Sequence, residues 1–228
     1  MNKTKRFEFR LYQKHIIALY KEIQKQQERG FFDEQALPSY TNPNFLMRYL
    51  FWQRIRVVME HLNKKERFGT SLDFGCGLGT MIPFLLEKSD VVMAVDLAIE
   101  HLMLVAQEQG WERVTFAKEL TPLMEEYENK VDVIVALDVL EHVADLDATI
   151  RSFKKLLAAG GEIVVCGPTE NFFYRIGRKL AGYSGEYHNR NVYDILDAFR
   201  KEFEVEVIGR LFPVIPFFLI AKATPKRT

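Results

Sequence analysis

The sequence is poor in cysteine, has no net charge and lacks a long uninterrupted apolar run, and each shortage excludes a class of protein. Cys76 and Cys166 are the only two cysteines in 228 residues. They stand far apart in sequence and share no metal-ligand or disulfide spacing, so the expectation is no bound metal and a reducing, cytoplasmic setting. Basic and acidic residues number 31 each, without the basic excess that a nucleic-acid footprint brings, and no nucleic-acid partner is expected. The longest apolar stretch, residues 211–221, is broken by Pro213 and Pro216. It falls short of the ~20 residues of a membrane-spanning helix and reads as strand. The N-terminus is charged and aromatic, without the apolar core of a signal peptide. Internal repeats and low-complexity segments are also absent, and residues 224–228 read as a frayed basic tail.

What the chain does contain is a sizeable apolar fraction, 48%, enough for one α/β domain with its own core. Residues 6–29 carry Tyr12, Ile16, Leu19 and Ile23 at helical spacing, closed by Gly30. A second helix is expected from Pro43, with Thr41 or Asn42 as its cap, after an aromatic loop over 31–40. From residue 70 the pattern changes. Short apolar runs at 71–74, 91–95, 114–117, 131–137 and 162–166 alternate with helical patterns at 81–88, 98–109, 122–128 and 145–158, the last closed by Gly160-Gly161. Runs that are apolar throughout, alternating with helices, predict a parallel sheet covered on both faces. A helix over 192–201 precedes two strands, 203–208 and 217–223, whose short connection makes them antiparallel. The expected organisation is a helical cap over 1–69 and an α/β domain over 70–228, with an insertion at 171–190.

The most informative segment is Leu72-Asp73-Phe74-Gly75-Cys76-Gly77-Leu78-Gly79-Thr80. An apolar strand ends, three alternate glycines turn the chain, and a helix begins. Glycine admits positive φ and a close ligand approach, and the amides of a helix start point into the same space. This is a nucleotide-type corner. The dinucleotide fingerprint Gly-x-Gly-x-x-Gly is met only at Gly75 and Gly77, because position 80 is threonine and Gly79 comes one position early. Asp96 at the tip of the second strand suits the ribose hydroxyls of any nucleoside ligand.

The segment Asp73-Phe74-Gly75-Cys76-Gly77-Leu78-Gly79 resembles the first motif of class I S-adenosylmethionine-dependent methyltransferases, in their small-molecule (type 11, UbiE-like) branch. The likeness continues with Asp96, with Val133-Ile134-Val135-Ala136-Leu137-Asp138-Val139-Leu140-Glu141-His142-Val143, and with the Gly160-Gly161 turn into the next strand. It runs over about residues 70–222. The resemblance implies a Rossmann-like sheet of seven strands in the order 3-2-1-4-5-7-6, with strand 7 antiparallel. It implies S-adenosylmethionine as cofactor, with Asp73 near the methionine ammonium, Gly75 and Gly77 lining the methionine, Asp96 on the ribose and Leu97 against the adenine. Cys76, Gly79, Leu120, Leu137 and Asp138 complete the cofactor-binding set. Glu119 is the candidate partner of the adenine amino group, although its register is about one residue short of the family's. Cys76 is read as a small residue that suits the tight turn, not as a nucleophile.

Methyl transfer from a sulfonium is an in-line displacement in which the protein mainly aligns the reacting atoms. A base is needed only if the acceptor must lose a proton. His142, after the fourth strand, reads either as that base or pocket lining, or as a helix-start residue that holds its loop. His188 reads as an acceptor-binding or basic residue, or as a plain loop residue. Glu141 reads as an arginine partner or a helix cap. The insertion mixes Phe172, Phe173 and Tyr174 with Arg175, Arg178 and Lys179. Over 171–183 it reads either as a lid that touches a lipid-like acceptor or a membrane surface, or as a packed helix. Tyr40, Arg48, Phe172, Tyr187 and His188 are the candidate acceptor-side residues, with Tyr40 and Arg48 also able to meet the cofactor carboxylate.

The leading expectation is therefore a methyltransferase for a small-molecule or lipid-like acceptor, methylating oxygen or carbon. The Pro-Pro-aromatic motif of amino-methylating nucleic-acid enzymes is absent after strand four. An NAD-linked oxidoreductase and a non-catalytic S-adenosylmethionine-binding protein are the alternatives.

Overall fold

A computed structural model describes residues 9–26, 40–169, 190–211 and 216–226. The chain divides into two compact units, Met1–Arg56 and Val57–Thr228.

The first unit contains helix α1 (Phe9–Gln26) and most of helix α2 (Phe45–Leu62), which runs across the boundary into the second. Aromatic rings join the two within this unit. Phe9 meets Trp52 edge-on with centroids 6.2 Å apart, and Tyr40 meets Trp52 at 5.3 Å. The Trp52 indole N–H is satisfied in this core by donating to the Tyr40 carbonyl at 3.1 Å, as a buried indole requires. The expected capping of α2 is corrected by one turn position. The Asn44 side chain accepts from the amides of Leu46 and Met47, so Asn44 is the cap and Pro43 stands before it. Asn42 instead accepts from Asn44 N at 2.8 Å, shaping the approach.

The second unit is a seven-stranded sheet in the order β3-β2-β1-β4-β5-β7-β6. Its elements are β1 (Phe68–Phe74), α3 (Ile82–Lys88), β2 (Ser89–Val95), α4 (Ile99–Gln109), β3 (Val114–Ala117), β4 (Val131–Leu137), α5 (Leu146–Leu156), β5 (Leu157–Pro168), α6 (Val192–Glu202), β6 (Phe203–Leu211) and β7 (Phe218–Pro225). β1 through β5 pair in parallel, and β7 runs antiparallel to both β5 and β6. Order and direction agree with the expectation. Val133, Ile134, Val135 and Ala136 are fully buried, as are Val92, Met93 and Ala94, which explains why these strands are apolar at consecutive positions rather than alternate ones.

Helices α5 and α6 cover one part of this sheet. α5 buries Leu146, Ile150, Phe153 and Leu156, and α6 buries Val192, Ile195, Leu196 and Phe199. Each such side chain contributes about 1.5–3 kcal/mol through burial. Phe74, Phe153, Phe199 and Phe203 form a chain of ring contacts from the end of β1 to the start of β6. Both helices have well-defined starts. The Asp145 side chain accepts from Ala148 N, and Asn191 with Asp194 forms a full capping box.

Two local expectations are corrected. The 122–128 segment is not an α-helix but a 3-10 turn, Thr121–Leu123, followed by further turns. Pro122 and the acidic run after Met124 leave no apolar stripe long enough to hold a helix on the sheet. Gly160-Gly161 does not close α5, which ends at Leu156; both glycines lie inside β5. A Cβ on Gly161 would stand 2.8 Å from the Val131 carbonyl oxygen. Glycine there permits close passage where the β4–β5 register shifts between Val131 and Val133.

Candidate functional site at the carboxyl edge of the sheet

The strands β1, β2 and β4 deliver their carboxyl ends to one edge, where the chain leaves β1 through the glycine turn. The Gly75 and Cys76 amides both donate to the Val95 carbonyl, at 2.7 and 3.2 Å, and Gly79 N donates back to Cys76 O at 2.8 Å. All three glycines have positive φ, +72° at Gly75, +51° at Gly77 and +80° at Gly79. Their surroundings differ. A Cβ on Gly75 would lie 2.3 Å from a Val139 methyl, and one on Gly79 would lie 2.5 Å from Leu102. Around Gly77 a Cβ would meet nothing within 4 Å. The outer glycines are closed in by packing, and the middle one faces open space.

Asp96 stands at the tip of β2 beside this opening. One carboxylate oxygen accepts from Gly77 N at 2.8 Å and the other from Ala98 N at 2.9 Å. Its own amide donates to Ala117 O, so the tips of β2 and β3 are joined. Each carboxylate oxygen keeps a second lone-pair direction. The side chain is thus oriented by the backbone and retains accepting capacity. Leu97, the next residue, is 85% exposed, an unusual setting for a leucine at a strand tip.

Asp73, one residue before the end of β1, is only 4% exposed. Burial, and secondarily the nearby Asp96 charge, push its carboxyl from an ordinary 3.8 up to about 8. The Cys76 thiol is also pushed well up, first by burial and then by Asp73 and Asp96. A buried thiol held protonated is a poor nucleophile, in keeping with the reading of Cys76 as a turn residue.

β4 supplies the other wall. Leu137 ends the strand, and Asp138 follows with φ of +55° and an amide that donates to Cys166 O at 2.9 Å. Val139 then folds onto Gly75. Glu141 is buried, 1% exposed, while His142 is exposed on the same loop. The cap of α5 is Asp145, so Glu141 does not have the capping role considered for it. Beyond β3, Glu119 is exposed and Leu120 packs into the core.

The fold therefore gathers Asp73, Gly75, Cys76, Gly77, Gly79, Asp96 and Leu97 around the β1 and β2 tips, with Leu137 and Asp138 at the tip of β4. Tyr40 and Arg48 belong to the first unit. Tyr40 is buried among Tyr20, Phe51 and Trp52, and Arg48 donates to Asn42 O at 2.5 Å. Phe172, Tyr187 and His188, with the rest of the insertion over 171–189, lie outside the described residues. Among the described residues, no group of three or more His, Cys, Asp or Glu side chains could hold a metal ion, and no helix is long and apolar enough to cross a membrane. Val139 stands in the sequence only as one position of the fourth motif; its packing against Gly75, between the loop after β4 and the turn after β1, has no local signal. Sequence reading passed over Arg190, which donates to the carbonyls of Val143 and Ala144.

Comparison with known proteins bears on this edge. A family profile described as "Methyltransferase domain" matches residues 47–204. Over 120 residues the chain is 32% identical to a ubiquinone biosynthesis O-methyltransferase of Histophilus somni (strain 2336), a match covering 50% of this chain and 47% of that protein. The chain spans about half the length, or less, of the curated relatives it matches. The magnesium protoporphyrin IX methyltransferase ChlM of Synechocystis PCC 6803, solved with bound S-adenosylhomocysteine, superposes with a TM-score of 0.62 at 18% identity. That superposition covers 90% of this chain and 100% of that one. The N-methyltransferase NodS of Bradyrhizobium japonicum WM9, also in complex with S-adenosylhomocysteine, gives 0.59 at 16% identity, over 92% and 99%. At these identities the two structures establish a shared fold.

Proposed function

The chain belongs to the methyltransferase domain family, and we propose that it transfers a methyl group from S-adenosylmethionine to a small-molecule or lipid-like acceptor, at oxygen or carbon. The observation that carries the proposal is the open Gly77 beside an Asp96 carboxylate fixed by two backbone amides. In the proposed complex Asp96 accepts from the ribose hydroxyls and Leu97 covers the adenine. Gly75 and Gly77 let the methionine part pass close to the backbone, and Asp73 faces its ammonium group. Cys76, Gly79, Leu120, Leu137 and Asp138 complete the proposed cofactor-binding set, with Glu119 as the candidate for the adenine amino group.

The charge at the turn favours this donor over NAD. Asp73 and Asp96 are close enough for one to raise the other's pKa. An anionic pyrophosphate at the turn would be repelled by the Asp96 carboxylate and would leave the proton on Asp73, whereas a ligand bearing ammonium and sulfonium charges favours ionisation of Asp73 and is then attracted by both carboxylates. When bound, S-adenosylmethionine supplies an already activated methyl group. The residues of this chain then orient the acceptor, exclude water and, for a hydroxyl acceptor, take up its proton. His142, exposed on the loop after β4, is the proposed group for that proton. His188 shares the acceptor-side proposal with Phe172, Tyr187, Tyr40 and Arg48, and the 171–183 segment is proposed as a lid with peripheral membrane contact. The O-methyltransferase relatives support an oxygen acceptor. A cytoplasmic setting completes the proposal, supported by two free cysteines without disulfide spacing.

The test is transfer of labelled methyl from S-adenosylmethionine across a panel of hydroxylated aromatic and polyprenyl acceptors, alongside S-adenosylhomocysteine binding. Turnover with one acceptor class supports the proposal. Tight S-adenosylhomocysteine binding with no turnover across the panel would favour the non-catalytic alternative.

A further inference from the structure

We propose that Arg190 is a positioning residue for the acceptor side of the site, holding the loop that carries His142. The proposal rests on the methyltransferase reading for its kinetic consequence, and on geometry alone for the tether.

The backbone at Arg190 is anchored by its neighbour. Asn191 caps α6 by accepting from Tyr193 N and Asp194 N, and Asp194 accepts from Asn191 N. From this fixed base the guanidinium reaches to the loop between β4 and α5. One nitrogen donates to Val143 O at 2.6 Å and the other to Ala144 O at 3.1 Å. Two charge-assisted bonds from one planar fork to consecutive carbonyls are a geometry that arginine provides and lysine cannot match.

The loop has separate supports along its length. Its start is held by Asp138 N donating to Cys166 O, and by Val139 against Gly75. Its end is held by the Asp145 cap. Local turns lie within the loop, His142 N donating to Val139 O at 3.0 Å and Val143 N to Leu140 O at 3.4 Å, and Leu140 packs into the core. Arg190, 47 residues away from Val143 in sequence, is a long-range grip one residue beyond His142. The cofactor cradle lies upstream of that grip, so the tether governs His142 and the acceptor side while leaving the Gly75–Gly77 turn to its own contacts.

The test compares wild type, Arg190→Ala and Arg190→Lys, with thermal melting to verify folding. The readouts are the His142 ring NMR resonance in the ligand-free protein, S-adenosylhomocysteine titration, and steady-state kinetics with the acceptor found by the labelled-methyl panel. Arg190→Ala should move or broaden the His142 resonance and lower kcat by up to about 100-fold, the scale of a misplaced reacting group, with S-adenosylhomocysteine affinity unchanged. Arg190→Lys should fall between the two. An unaltered His142 resonance in a folded Arg190→Ala protein overturns the tether. Loss of S-adenosylhomocysteine affinity in the variant overturns the acceptor-side assignment. Failure of wild type to bind S-adenosylhomocysteine would instead contradict the methyltransferase reading, and the His142 resonance would still decide the tether.

Discussion

Val139 lies so close to Gly75 that any side chain on the glycine would collide with it, a Cβ falling 2.3 Å from the valine methyl. This contact joins the turn after β1 to the loop after β4. At Gly75 both the positive φ and the valine oppose a side chain. Gly75→Ala should therefore destabilise the fold by about 2 kcal/mol or more, combining left-handed strain with overpacking. Gly77→Ala has the strain but no collision, and should cost only about 1–2 kcal/mol. Its methyl would project into the open side of the turn, so S-adenosylhomocysteine binding should weaken sharply despite the small stability loss. Thermal melting together with calorimetric titration of the two variants separates these effects. Equal melting losses would contradict the distinction between the packed and the open glycine.

Asp96 has a structural duty as well as the proposed ribose contact. Asp96→Ala removes the acceptor of both Gly77 N and Ala98 N. A lost hydrogen bond to a charged group is worth about 1.5–3 kcal/mol. The expected result is a lowered melting temperature and a loss of S-adenosylhomocysteine affinity of at least about tenfold. Asp96→Asn can keep one amide bond through its carbonyl oxygen and should melt above the alanine variant while still binding weakly.

The buried Asp73 makes stability depend on pH in a definite direction. In the unfolded chain its carboxyl ionises near 3.8, whereas in the fold it keeps its proton up to about 8. Between these values the folded state binds more protons than the unfolded one, so this group's contribution lowers stability as pH rises, by up to about 1.4 kcal/mol per pH unit. Asp73→Asn removes that dependence. The ligand-free variant should gain stability relative to wild type as pH goes from 5 to 8, measured by denaturant unfolding at each pH. It should also bind S-adenosylmethionine less well, because the carboxylate facing the ammonium is gone. A stability difference that does not change with pH would contradict the account of Asp73.

The aromatic chain in the core gives a further measure. Phe153 is fully buried and touches both Phe74 and Phe199. Phe153→Ala should cost about 3–5 kcal/mol. Since Phe74 immediately precedes Gly75, the variant should also weaken S-adenosylhomocysteine binding through displacement of the turn. A variant that stays folded with full affinity would show that the turn is insulated from the core.

Much of this was legible before any coordinates. Consecutive buried positions in β2 and β4 make unbroken apolar runs, and the short connection between the last two strands identifies an antiparallel pair, so the parallel core and its terminal hairpin followed from pattern, while the strand order came from the resemblance. The glycine turn and Asp96 were legible because backbone geometry restricts those positions to few residue types. What escaped depended on tertiary contact. Gly160-Gly161 looks like a helix terminator, but both lie inside β5, and Gly161 lets that strand pass the Val131 carbonyl. The grip of Arg190 on Val143 and Ala144 spans 47 and 46 positions, and a lone arginine before a helix carries no local signal of it. Tyr40 and Arg48 were proposed from position alone, and their contacts with Trp52 and the Asn42 carbonyl carried no signal in the local sequence.

The central claim is that the glycine turn with Asp96 and Asp73 receives a sulfonium nucleoside and not a dinucleotide. Calorimetric titration of the folded wild-type protein with S-adenosylhomocysteine and, separately, with NAD tests it most directly. The account predicts saturable binding of S-adenosylhomocysteine and no heat of binding from NAD. Binding of NAD without binding of S-adenosylhomocysteine would contradict it.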